Sequence, residues 1–418
     1  MVHRQAARTR FWLLGIVSLL LVATFSQNVP AQAAAPVDRD TRGAYQFPVK
    51  PGTAEWRALN SHDEMLKVTQ VPAETLRGMS TADLSKTVLD YPLFMDMFAF
   101  NSIQTGFDRV ASRFNGLTAF LARPDSGSVL LKEYQAIDPL AIKPGWSLAQ
   151  QGAYDARITA IEMLLAQDAV RATLTPQQQQ TLLDQTIAIY RAKQQRADVY
   201  GHTGLERTAL VMGRVVSSQT PSFQQQINAQ IDLQEFLKTG TYASPDVLSQ
   251  IVAAADPKAA PVTDDVRTQD YYTTVYTPYS SAVTAIAMTT ELTSSQISSA
   301  NSYVASVYPQ AVRETNASRK YNCHSYAWHN QSTSNSIWIN TPGDDTYWTD
   351  GSYTRWQIPY RWFDNMKVSY VNDDHSAIDI PNGSSPLFRS KWGQYPRMRH
   401  APSYSPYNSS YLDYFFPS

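Results

Sequence analysis

The apolar residues of this chain change their spacing near residue 255, and that change limits the fold more than any other feature. From about 55 to 255 they recur at close to 3.6 residues, which places them on one face of successive helices. Ser80 before Thr81-Ala82-Asp83 reads as an N-cap with an acid in the first turn, and Leu84, Val88 and Leu89 follow on the inner face. Thr175-Pro176 is a second such start, with proline at the first helical position. Asn115 to Leu121, Val129 to Tyr134, Ala149 to Gln167, Leu205 to Val216 and Phe223 to Leu237 carry the same period. Asp256 to Gln269, rich in Ala, Pro and Asp, interrupts it as a linker. Beyond the linker, Thr273 to Tyr279 and Ala282 to Met288 read as strands and Thr293 to Tyr308 as a helix. Six of the nine tryptophans follow residue 320, so that region must build its core from aromatic rings. The expected fold is α+β: an all-α domain over 55–255, a linker over 256–269, and a compact domain of helix and short strands over 270–418.

The first 33 residues read as a secretory signal. Arg4, Arg8 and Arg10 precede an uncharged apolar run, Phe11 to Phe25, and Ala31-Gln32-Ala33 supplies small residues for a signal peptidase. The run is 15 residues, shorter than the roughly 20 that span a bilayer. An uncleaved amino-terminal anchor is the alternative. Residues 34–54, rich in Ala, Pro and Gly, are expected to be a disordered leader. Cleavage after Ala33 removes three arginines from 35 basic residues and leaves the 36 acids, a net charge of −4. That balance offers nucleic acid no electrostatic footing. The expected location is outside the cell, at the cell envelope.

Export makes the cysteine count informative. Cys323 is the one cysteine in 418 residues, so no internal disulfide can form. Its segment, Tyr321-Asn322-Cys323-His324-Ser325-Tyr326-Ala327-Trp328, lacks strand alternation and fits the start of a helix, where free N–H groups stabilise a thiolate. A nucleophilic thiolate needs a base, and His375 is the best candidate. It opens a strand, His375 to Ile380, after the turn-like Val371-Asn372-Asp373-Asp374. Asn382-Gly383 is a hairpin signal, with Leu387 to Trp392 returning. A two-residue turn there sets His375 opposite Ser390, which could orient the imidazole. His400 is the other candidate for that role. Trp328 and Trp392 are candidate cleft residues.

The segment N-C-x-x-Y-A-W around Cys323 resembles the cysteine motif of CHAP domains (cysteine, histidine-dependent amidohydrolases/peptidases), and Asp374-His375-Ser376-Ala377-Ile378 resembles the segment carrying their histidine. NlpC-type cell-wall peptidases share this papain-like order. The resemblance covers about 320–400, with Asp374 where the family has glycine. It implies a papain-like domain that hydrolyses amide bonds through an acyl-enzyme, with peptidoglycan or another peptide as substrate. Asn322 would help hold the oxyanion. No cofactor is called for. The helical domain matches no binding module and is the candidate surface for an unidentified protein partner. Two other readings stay open: an inactive module that binds cell-wall peptides or protein, and a metal-dependent hydrolase using His324, His329, His375 and Asp373 or Asp374. No H-x-x-x-H or H-E-x-x-H spacing supports the second.

Overall fold

The computed structural model describes residues 43–257, 270–356, 366–380 and 385–418, which belong to one compact unit. The expected signal peptide, most of the linker and Asn382-Gly383 lie outside these residues.

The fold is α+β, with helices first and antiparallel sheets after residue 270. Local capping sets several helices. Ser80 Oγ accepts from the Asp83 N–H and starts Thr81–Leu89. Reciprocal capping boxes start Leu148–Leu165 (Ser147 with Gln150), Pro176–Gln194 (Thr175 with Gln178) and Ser294–Val307 (Thr293 with Gln296). The stretch expected as one helix over 223–237 is two, Pro221–Ala229 and Ile231–Thr239, parted at Gln230. The leader expected to reach residue 54 is ordered from Gly43. Phe47 is buried against Tyr91 and Phe114, because an aromatic ring there has a core to join.

Ten strands follow among the described residues: β1 Tyr271–Tyr276, β2 Ala282–Ala287, β3 Val312–Arg313, β4 Ile337–Trp338, β5 Tyr353–Trp356, β6 Lys367–Tyr370, β7 His375–Ile380, β8 Leu387–Lys391, β9 Arg397–His400 and β10 Leu412–Pro417. β1-β2-β4 form a small sheet and β3-β9-β8-β7-β6-β10-β5 a larger one. The larger sheet is covered on both faces. Val368, Tyr370, Ala377, Phe388 and Met398 face the main core, which they share with helical-region residues such as Trp56, Phe107 and Leu210. Ile378 and Phe415 face a second core with Tyr326 and Trp328.

Polar contacts join the two regions as firmly. Trp56 Nε1 donates to the Val307 carbonyl at 2.8 Å. Buried Asp96 accepts from Tyr303 at 2.9 Å and Tyr308 at 2.7 Å. Gly393, at φ +49°, lets the chain at Phe98 and Ala99 lie against the β8–β9 turn; a Cβ there would sit 2.5 Å from Ala99 backbone atoms. That approach carries Asn101 to the cysteine. Among the described residues no helix is long and apolar enough to cross a membrane.

Candidate functional site around Cys323

Asn322 builds the turn that carries the cysteine. Its Oδ1 accepts from the Ser325 N–H at 3.1 Å and the Ile339 N–H at 3.2 Å, so the side chain caps the turn and ties it to the chain after β4. The turn is short and wide, ending where the Asn330 N–H meets the Ser325 carbonyl. Both Asn322 amide hydrogens are committed, to Asn101 Oδ1 at 2.8 Å and the Ile339 carbonyl at 2.6 Å. The expected oxyanion role of Asn322 is therefore corrected to a positioning one.

Cys323 is 1% exposed, and its thiol donates to Asn101 Oδ1 at 3.7 Å. Asn101 arrives from the helical region. Its Nδ2 donates to Asp374 Oδ2 at 2.8 Å. Asp374 also receives His324 Nε2 at 2.9 Å, and His324 Nδ1 lies 2.9 Å from Asp344 Oδ2 and 2.8 Å from Ser376 Oγ. Burial disfavours charge on His324, but Asp344, the Cys323 thiol and Asp374 outweigh it and push the imidazole well above its usual range. Burial opposes ionisation of Asp374, but the hydrogen bond and charge of His324, then Thr341 and Asn101, hold its pKa down, to about 2. The turn before β7 is anchored in turn by Asp373, which takes Arg109 at 3.1 Å and Arg113 at 2.8 Å.

His375 opens β7 as expected, but on the other side of the sheet from His324. Ser376 meets His324 and Trp328, accepting from Trp328 Nε1 at 2.9 Å, so its neighbour His375 points to the opposite face, toward Tyr407 and Tyr370. His375 is 1% exposed, lies 3.4 Å from the Tyr407 ring and parallel to it, and meets the Tyr370 edge. Neither ring nitrogen has a hydrogen-bond partner, and no hydrogen bond joins it to Cys323. Burial, then the nearness of His400 and His324, pushes its pKa well below the usual value, so it is a neutral imidazole. Cys323 stands near enough to His375's two flanking rings to add, after burial, to the rise in the pKa of Tyr407 and of Tyr370.

The candidates for a third member pair with each other instead of with His375. His400 donates from Nδ1 to the Ala401 carbonyl at 2.8 Å, and its Nε2 accepts from Ser390 Oγ at 2.8 Å. The expected register of Ser390 opposite His375 is corrected. Ile378 pairs with Arg389 and Ile380 with Leu387, two residues on from the pairing that a two-residue turn at Asn382-Gly383 would set. Trp328 and Trp392 are 3% and 0% exposed and belong to the two cores, so neither lines an open cleft. Asn101, Asp344 and Asp374 are the partners that the sequence reading missed. Among the described residues no three His, Cys, Asp or Glu side chains are arranged to hold a metal ion. No protein-family model, curated protein or solved structure matches the chain.

Proposed function

We propose that the protein is an exported cysteine hydrolase with a papain-like carboxy-terminal region, cleaving amide bonds in peptides such as those of peptidoglycan. The observation that carries this reading is His375. A fully buried imidazole with both nitrogens unpartnered is rare outside sites that use it, and this one lies beside the rings that also sense Cys323. His375 would take the Cys323 thiol proton, and the thiolate would attack the substrate carbonyl. The oxyanion formed is held by the Cys323 backbone N–H. Collapse transfers the proton from His375 to the leaving amine and leaves a thioester on Cys323. Water, deprotonated by His375, then releases the acid and restores the thiol. The segment Phe98–Asn101 must move aside for substrate to enter, since it supplies the thiol's hydrogen-bond acceptor.

A second reading, a non-catalytic module, draws support from the near-complete burial of Cys323 and the lack of a Cys323–His375 hydrogen bond. Digestion of purified peptidoglycan separates the two. Newly exposed amino groups should appear with the wild type and fall by about 10²- to 10⁴-fold with His375→Ala. Equal release by both proteins would end the catalytic reading.

A further inference from the structure

A cavity of about 600 Å³ lies apart from Cys323, between the helices Leu148–Leu165 and Ser294–Val307, the short helix Phe94–Ala99 and the β8–β9 turn. Its size is that of sites for small organic ligands. Leu89, Met95, Phe98, Leu292 and Val307 make much of its wall apolar. A buried cation is set into that wall: Arg207, from the helix Ala197–Gln219, is only 3% exposed.

The Arg207 guanidinium is committed on one side and free on another. Its Nη1 donates to the Gly240 carbonyl at 3.0 Å, and its central carbon lies 5.7 Å from the centre of the Phe98 ring. Nε and Nη2 donate to no described residue, yet neither is closed off from solvent. These two nitrogens form the edge of a guanidinium that meets a carboxylate through two parallel hydrogen bonds. The charge is incompletely answered as well. Among the described residues the one carboxylate within 4 Å is Glu206, with Oε2 3.8 Å from Nη1. Glu206 is held more closely by Arg319 at 3.3 Å and His202 at 3.4 Å. Burial pulls the Arg207 pKa below its ordinary value against Glu206, but an arginine keeps its charge at neutral pH. A buried charge without full compensation is costly, and a ligand that supplied the missing acceptors would recover part of that cost.

We propose that this cavity binds an apolar molecule ending in a carboxylate, whose two oxygens accept from Arg207 Nε and Nη2. The apolar wall takes the body of the ligand. Arg157 also borders the cavity, but it is far more exposed and already pairs with Asp90 at 3.1 Å. A buried, open guanidinium edge is the stronger site, because water competes less there.

The test is calorimetric titration of the purified protein at neutral pH with octanoate, octanol and octylamine. Octanoate should bind at least about tenfold more tightly than the other two. Arg207→Gln should reduce that preference to less than about threefold while leaving octanol affinity nearly unchanged. Arg157→Gln should leave the preference intact. Ala156→Phe, which projects a ring into the cavity from the helix Leu148–Leu165, should weaken all three ligands by at least about tenfold. The proposal is overturned if wild type shows no preference for the carboxylate, if Arg207→Gln keeps the preference, if Arg157→Gln loses it, or if Ala156→Phe binds as before. If Arg207→Gln does not fold, the wild-type series, Arg157→Gln and Ala156→Phe decide the matter.

Discussion

Asn101→Ala should loosen the cysteine and destabilise the fold together. Asn101 is 4% exposed and makes three contacts: it accepts from Asn322 and from the Cys323 thiol, and it donates to Asp374. A neutral buried hydrogen bond is worth about 1 kcal/mol net, and one to a carboxylate about 1.5–3 kcal/mol. The thiol contact, long and from a weak donor, adds little. The partners are not stranded by the change. Asn322 keeps the Ile339 carbonyl, and Asp374 keeps His324 and Thr341. The expected loss is therefore about 3 kcal/mol, more than a hundredfold in the unfolding equilibrium. Urea unfolding followed by tryptophan fluorescence measures it, as a lower midpoint at unchanged slope. Iodoacetamide labelling of Cys323 under native conditions should be slow in the wild type and clearly faster in the variant. A loss below about 0.5 kcal/mol, or an unchanged labelling rate, would refute the idea that Asn101 holds the helical region onto the thiol.

Two further outcomes follow from the same geometry. Asp374 titrates near 2 when folded against 3.8 ordinarily, so it contributes stability above about pH 4 that is lost as pH falls through 2; Asp374→Asn should flatten that acid limb in thermal melts, removing up to about 2 kcal/mol of pH dependence, and an identical limb would contradict the pairing. His324 runs the other way. Its raised pKa gives stability that is complete below its ordinary range near 6.5 and fades as pH rises through the folded value, so Asp344→Asn should bring the alkaline loss to lower pH. Phe47→Ala should cost about 3 kcal/mol if residues 43–54 belong to the core, whereas a change within 0.5 kcal/mol would restore the disordered leader.

Much of the fold was legible because its signals are local. A cap needs three or four residues, and Ser80, Thr175 and Thr293 each start a helix where such a pattern stands. Strand β7 was equally legible from its place between a turn-like stretch and an Asn-Gly pair. The break at Gln230 was hidden because the apolar period continues through both short helices and no Gly or Pro marks it. The β7–β8 register was hidden because hairpin chemistry proposes a turn length without enforcing it. The partners of the cysteine turn lay furthest out of reach. Asn101 is 222 residues from Cys323, and Asp374 is 50 from His324, so only the packing of the helical region on the sheet brings them together. Asp374 stood out in the sequence only as a residue in the place of a glycine. Its contacts with His324 and Asn101 give that substitution a structural use.

The central claim, that Cys323 is the nucleophile, is tested most directly by comparing kcat/KM for a purified cell-wall peptide between wild type and Cys323→Ala. The alanine is small, and His324 keeps its contacts with Asp344 and Asp374 when the sulfur is removed. Matched melting temperatures will show that the variant folds. The account predicts a loss of more than about 10³-fold, since nothing else at the site can form the thioester. A variant that hydrolyses the peptide within about twofold of the wild type would contradict it.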